Sequence, residues 1–395
     1  MGETAKAVGG MNLAKEIHGD RQLIVRRLQK AGKKVLGYMG PSIPLEILSA
    51  VDIIPFRILG DMEEPISRSD KAFPVTMCPC VRSCFDLACK GRYDFLDGYI
   101  GSHYCDAQEK ASHIWKSMES FRFFPYLDMP HTTHPWAEKY FKSMLVAFGK
   151  QLESYQGRSL SVENLRQSIE WHNQQRRLVK ELYELRKNDP PLISGTETLK
   201  VLIALSSVPV AEGNVLLREV LDEIKARTVL PAPKPARILV WGDAVDNVCL
   251  TEAMEEYVDL VMDDTGLGAG NYFAEVEATP DPFDGLAHRY LVQTNFPRTF
   301  RENRAGETGK ARMSQLEDRF SYLEGYVKEW KVDGIVLLLV RFCDPYGFEV
   351  PALRAFLNEI GIPNIYLESD YSNAALPALK TRIQAFAEMI AKPRP

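Results

Sequence analysis

Short, continuous apolar runs recur along the chain, each followed by a stretch with helical spacing. In the C-terminal part, residues 236–241, 258–262, Gly334–Val340 and 364–368 read as strands, and 247–257, 313–331, 350–360 and 378–391 as helices. Strands that are apolar on both faces and alternate with helices predict a parallel sheet covered on both sides. The N-terminal part repeats the pattern, with strands at 35–39, 54–59, 98–103 and 123–127 and helical segments near 44–50, 80–90 and 106–120. Between the two, 134–156 and 161–188 carry helical periodicity and no strand. Pro190-Pro191 closes the second of these, and Pro231-Ala232-Pro233-Lys234-Pro235 reads as a stiff linker that breaks helix and sheet alike. The expected fold class is α/β, with two doubly wound parallel-sheet domains and additional helices. Their expected extents are an N-terminal α/β domain over 1–133, a helical connecting region over 134–230 and a C-terminal α/β domain over 231–395.

The length of 395 residues suits two or three domains. The longest apolar run, residues 335–340, is far shorter than the roughly 20 residues that span a bilayer. The opening Met1-Gly2-Glu3-Thr4-Ala5-Lys6 has no apolar signal region, so a cytoplasmic location away from membranes is expected. A net charge of −5 leaves no basic excess to neutralise phosphates, which argues against a nucleic-acid partner.

The seven cysteines change the picture most. Five of them, Cys78, Cys80, Cys84, Cys89 and Cys105, lie close together, while Cys249 and Cys343 stand apart. An odd count in an unexported chain does not suit a disulfide framework. Ligands of open parallel sheets bind beyond the carboxyl ends of strands, and Cys105 and Cys343 each follow such a strand directly. Cys78 precedes Pro79 and a helix, whose N-terminal dipole favours a thiolate. Three thiolates from two domains suit an iron–sulfur cluster with one iron lacking a protein ligand. Zinc is the competing metal, although it usually draws ligands in closely spaced pairs, and a buried cysteine also serves as a small hydrophobe. Cys80, Cys84 and Cys89 read as packing along one helix, with a second ligand set as the alternative for the first two; Cys249 reads as packing. His131 and His134 have helical ligand spacing but are flanked by Pro130 and Pro135, which makes them loop or cap residues. His103, two residues before Cys105 at the strand end, reads either as facing the site or as a satisfied core histidine. Gly266-Leu267-Gly268-Ala269-Gly270 lacks the third glycine of a dinucleotide fingerprint and no P-loop occurs, so any nucleotide hydrolysis is expected on another protein.

Gly37-Tyr38 leading to Pro44-Leu45-Glu46, Cys78-Pro79 with Val81-Arg82-Ser83, and Tyr104-Cys105-Asp106 stand in a telling order. Arg341-Phe342-Cys343-Asp344-Pro345, Glu368-Ser369-Asp370 and Thr381-Arg382 continue it. In order and spacing the chain resembles the benzoyl-CoA reductase and 2-hydroxyacyl-CoA dehydratase family. The resemblance implies a [4Fe–4S] cluster held between the domains by Cys78, Cys105 and Cys343. It further implies a paralogous cluster-binding subunit, a separate ATP-hydrolysing iron–sulfur activator as electron donor, and an acyl-CoA substrate. A double cubane is disfavoured, because Asp263-Asp264-Thr265-Gly266 and Gln293-Thr294-Asn295-Phe296 hold no cysteine. Gly40 and Ala378 depart from the pattern of many relatives, which have cysteine and glutamine there. Glu46 is the first candidate for moving a proton, with Ser42 and His103 as hydrogen-bonding candidates. The expected function is the cluster-binding core of a benzoyl-CoA reductase. A 2-hydroxyacyl-CoA dehydratase subunit or a non-catalytic electron-relay paralogue are the alternatives.

Overall fold

A computed structural model describes residues 9–118, 122–243, 245–301 and 312–391. The first half contains β1 (Lys34–Tyr38), β2 (Ile53–Arg57), β3 (Gly98–Ser102) and β4 (Tyr126–Leu127); the second contains β5 (Arg237–Trp241), β6 (Asp259–Asp264), β7 (Gly334–Val340) and β8 (Asn364–Ser369). All pairings are parallel. The strand orders are β2-β1-β3-β4 and β6-β5-β7-β8, so both halves carry one topology, second-first-third-fourth. The α/β class with two parallel sheets is thus as expected. Every residue of β7 is buried, which is why its sequence shows no alternation: both of its faces are covered. β4 is shorter than the apolar run 123–127 suggests, because Pro125 has no N–H to give to a ladder.

The expected helix over 350–360 begins earlier, as Asp344–Glu359. Asp344-Pro345-Tyr346-Gly347 looks like a turn in sequence. Proline's fixed φ and missing N–H suit the first helical turn, however, and Cys343 becomes the residue that caps the helix.

Packing joins the halves. On one face of the second sheet, Leu239, Val261 and Leu337 meet Met11, Val179, Leu202 and Leu217 from the helices Gly10–Gly19, Val162–Glu184, Gly195–Leu205 and Val210–Lys225. On the other, Ile238, Val240 and Leu338 share a core with Val81 and Phe85 of the helix Pro79–Cys89 and Trp115 of the helix Asp106–Met118. The first sheet's Leu36 and Ile100 pack with Phe141, Phe148 and Leu286. One hydrophobic core therefore runs across the seam. His134 caps the helix Pro135–Gln156, accepting from the Trp136 amide at 3.4 Å, in agreement with its reading as a cap. Among the described residues, no helix is long and apolar enough to cross a membrane.

Candidate metal centre

Three cysteines occupy one kind of position. Cys78 is the N-cap of Pro79–Cys89 and Cys343 the N-cap of Asp344–Glu359. Cys105 directly precedes Asp106–Met118, and its carbonyl accepts from the Glu109 amide at 2.9 Å. Each thiol folds back over its own helix. The backbone N–H groups of Val81 and Cys80 favour charge on the Cys78 sulfur, those of Gln108 and Ala107 on Cys105 and that of Tyr346 on Cys343, although neither Cys78 nor Cys343 makes a formed side-chain cap hydrogen bond. Orphan amides and helix dipoles thus point at three sulfurs from both halves.

Burial pushes the thiols of Cys78 and Cys105 up to about 12, and raises Cys343 well above the ordinary thiol range. The neighbouring thiols and the Asp243 carboxylate add in the same direction, and the nearby helix-terminal amides oppose it. Sulfurs so placed become thiolates only when a cation supplies the missing charge. No disulfide joins any of the seven cysteines.

Spacing narrows the choice of metal. A zinc–sulfur bond of about 2.3 Å puts ligating sulfurs roughly 4 Å apart. Among the described residues, the set of three with all ligand atoms within 4.8 Å of one another is His103, Asp106 and Glu109, not the three thiols. Soft donors spread more widely than one ion spans fit a polynuclear group better than zinc.

Asp243, two residues past β5, faces this trio. Burial raises its carboxyl to about 6, opposed by Arg57 and reinforced by Asp246. Tyr104 lies beside Cys105, with a buried hydroxyl that has no hydrogen-bond partner. The Arg298 guanidinium stands 5.7 Å over its ring with Nε and Nη2 also unpaired. Orphaned donors against buried sulfurs are what a seat for an anionic group requires. Sequence reasoning missed Asp243, Tyr104 and Arg298. The strand-end rule would have found Asp243 had it been applied to β5 as well as β7; Arg298 lies far along the chain from any strand end.

The other expected residues fall elsewhere. Glu46 is fully buried and its carboxylate is taken by Arg176 and, at 2.9 Å, by the Tyr290 hydroxyl. Burial alone would raise its pKa, but Arg176, His172 and Arg289 hold it at about 2. That carboxylate stays ionised and locked between helices, so the structure corrects its expected proton-transfer role to an electrostatic anchor. Ser42 is buried with an unpartnered hydroxyl in the loop after β1. His103 turns to Asp128, 3.2 Å from Nδ1, and to Glu109, 3.6 Å from Nε2, and stacks on His131 at 4.3 Å. Cys84 joins the shared core with Cys89 against it, as expected of packing residues. Cys80 instead approaches Asp246 at 3.9 Å. Cys249, read as packing, sits half-exposed 3.8 Å from Glu63 at a cleft. The glycine-rich 266–270 segment bends into the short helix Ala269–Tyr272, and its Gly266 carbonyl accepts from Arg57 at 2.8 Å.

Two sheets of like order, joined by a shared core and carrying buried thiols at their carboxyl edges, define a two-lobed α/β protein with a thiol-lined seam. The chain belongs to the 2-hydroxyglutaryl-CoA dehydratase D-component family, whose profile matches residues 42–390. It is 25% identical to the (R)-phenyllactyl-CoA dehydratase beta subunit of Clostridium sporogenes, over 95% of this chain and 96% of that protein. It is also 25% identical to a benzoyl-CoA reductase subunit of Thauera aromatica, over 91% of each. With the (R)-2-hydroxyglutaryl-CoA dehydratase subunit beta of Acidaminococcus fermentans it shares 23% identity, over 95% of this chain and 97% of that protein. These relatives are named as subunits of multi-component enzymes, dehydratases and a reductase.

Proposed function

We propose that this chain is the [4Fe–4S] cluster-binding core subunit of an ATP-dependent, radical-type benzoyl-CoA reductase, with Cys78, Cys105 and Cys343 as the cluster ligands. The observation that carries the reading is the convergence of three thiols at helix starts from both halves, Cys78 and Cys343 buried and Cys105 partly so. Bound there, the cluster would supply a one-electron donor of low potential. The chain's own part is to hold and shield. The helix-terminal amides stabilise sulfur charge, burial in the seam excludes water, and the Tyr104 hydroxyl and Arg298 guanidinium offer donors to an acyl thioester carbonyl or to an anionic group. Electrons would come from a separate ATP-hydrolysing iron–sulfur activator, and a paralogous subunit would complete the enzyme in the cytoplasm.

A dehydratase reading, elimination of water from a 2-hydroxyacyl-CoA, is supported by relatives of equal identity. Anaerobic purification with iron and sulfide counting tests the shared core of both readings: about four irons per chain are expected, and bound zinc without iron would sink it. Activity of the assembled enzyme separates the two. Stoichiometric ATP use per aromatic ring reduced is the reductase result, and many turnovers per electron delivered is the dehydratase result.

A further inference from the structure

We propose that Asp246 is a proton-relay residue between solvent and the thiol-lined seam, an inference that rests on reading the seam as a redox centre. Two hollows meet at this side chain. Outside it lies a cleft of about 440 Å³, also lined by Asp61, Glu63 and His18. Inside it lies a cavity of about 30 Å³, whose walls include Asp243, Arg57, Cys80, Cys84 and Gln108. At roughly 10–15 Å³ per water, the cavity has room for about two, with polar partners on several sides. Its far wall touches the seam. Asp243 acts electrostatically on Cys78, Cys105 and Cys343, and the Gln108 backbone N–H favours charge on the Cys105 sulfur.

A proton entering the cleft therefore meets Asp246, then the small cavity, where Arg57, Asp243 and Gln108 stand among apolar walls formed by Met39, Ile58 and Leu267, then the edge of the seam. Polar groups from several elements face Asp246. Tyr371 donates its hydroxyl to Oδ1 at 2.9 Å and Cys80 lies 3.9 Å from Oδ2. Arg57 and Arg21 favour its charged form, while Tyr93, Asp243 and burial work against added negative charge. In the relay, the carboxyl gives its proton to cavity water and takes another from cleft water. The carboxyl is restored on each passage, and no electron moves through it.

Asp246→Asn keeps the shape and the acceptor for Tyr371 but carries no proton. In the anaerobically assembled complex, this variant is expected to hold wild-type iron with an unchanged KM. Its turnover should fall about a hundredfold, in the range of a lost general acid–base group. Stopped-flow reduction of its centre by a chemical reductant should show an enlarged solvent-deuterium isotope effect, and formic acid, a small diffusible acid, should restore part of the rate. Asp246→Glu, which keeps the carboxyl, should recover turnover. Unchanged turnover and isotope effect in Asp246→Asn, or a loss that neither formic acid nor Asp246→Glu repairs, would overturn the relay. Absence of iron from the wild-type chain would instead overturn the reading on which it rests.

Discussion

Glu46 separates what a residue's neighbourhood in sequence says from what its neighbourhood in space says. An acid at a helix start beside a strand end looks available for chemistry, yet Arg176 comes from 130 positions away and Tyr290 from 244. Removing one partner of a buried ion pair strands the other. Glu46→Gln is therefore expected to cost about 3–5 kcal/mol in chemical denaturation, while iron per folded chain stays constant. The same cluster sets an acid limit. His172 is buried and held neutral, its pKa lowered to about 4 by burial and then by Arg176 and Arg289, with Glu46 opposing. Because the unfolded imidazole titrates near 6.5, stability contributed by neutral His172 is lost as pH falls from 6.5 to 4. The Glu46 contribution, present above its unfolded pKa, is lost from about 4.5 down to 2. Melting temperature against pH is expected to decline across both windows, and His172→Asn should flatten the upper one while narrowing the lower, because protonated His172 also helps hold Glu46 ionised. The thiols, by contrast, were legible in the sequence. Cys105 and Cys343 follow strands, and strand ends are local features, whereas the partners of Glu46 exist only once the helices have packed.

At the scale of elements, the residue before a helix is also a proposed ligand position. Serine is a good N-cap, so Cys78→Ser should leave the melting of the metal-free chain almost unchanged while lowering iron retention. Loss of both together would mean that the thiol serves packing alone. The end of β5 makes a stricter demand. A Cβ at Gly242 would sit 2.0 Å from the Leu338 carbonyl oxygen, an overlap with backbone that no side-chain rotation relieves. Gly242→Ala is expected to destabilise the chain by at least about 2 kcal/mol in urea unfolding and to displace Asp243 from the thiols. Strands were readable because buried parallel strands are apolar throughout. The early start of Asp344–Glu359 was not, because proline and glycine near the start of a helix imitate a turn. The four-residue helix Ala269–Tyr272 and the helices Gly195–Leu205 and Val210–Lys225 were equally silent as separate elements.

For the molecule as a whole, the proline-rich segment at 231–235 looks like a domain boundary, but the core does not stop there. One face of the second sheet is covered by helices from earlier in the chain, and the other shares its core with Pro79–Cys89. A fragment of residues 231–395 would keep its own helices Val248–Glu255, Asp344–Glu359 and Leu376–Ile390 but lose the apolar partners that the earlier helices supply to both clusters. It is expected to aggregate or to lack a cooperative unfolding transition by circular dichroism; a sharp transition in the isolated fragment would refute the shared core. Composition and pattern located the two sheets, yet they carry no information about which helix closes which face. The shared core also bears on how the protein is made. Ribosomes deliver Cys78 and Cys105 early and Cys343 only in the last part of the chain, while the seam closes under packing from both halves. On the proposed ligand set, an inorganic group held by all three thiols would have its full set of ligands only as synthesis nears completion, which would place its loading late in biogenesis, after most of the chain has left the ribosome.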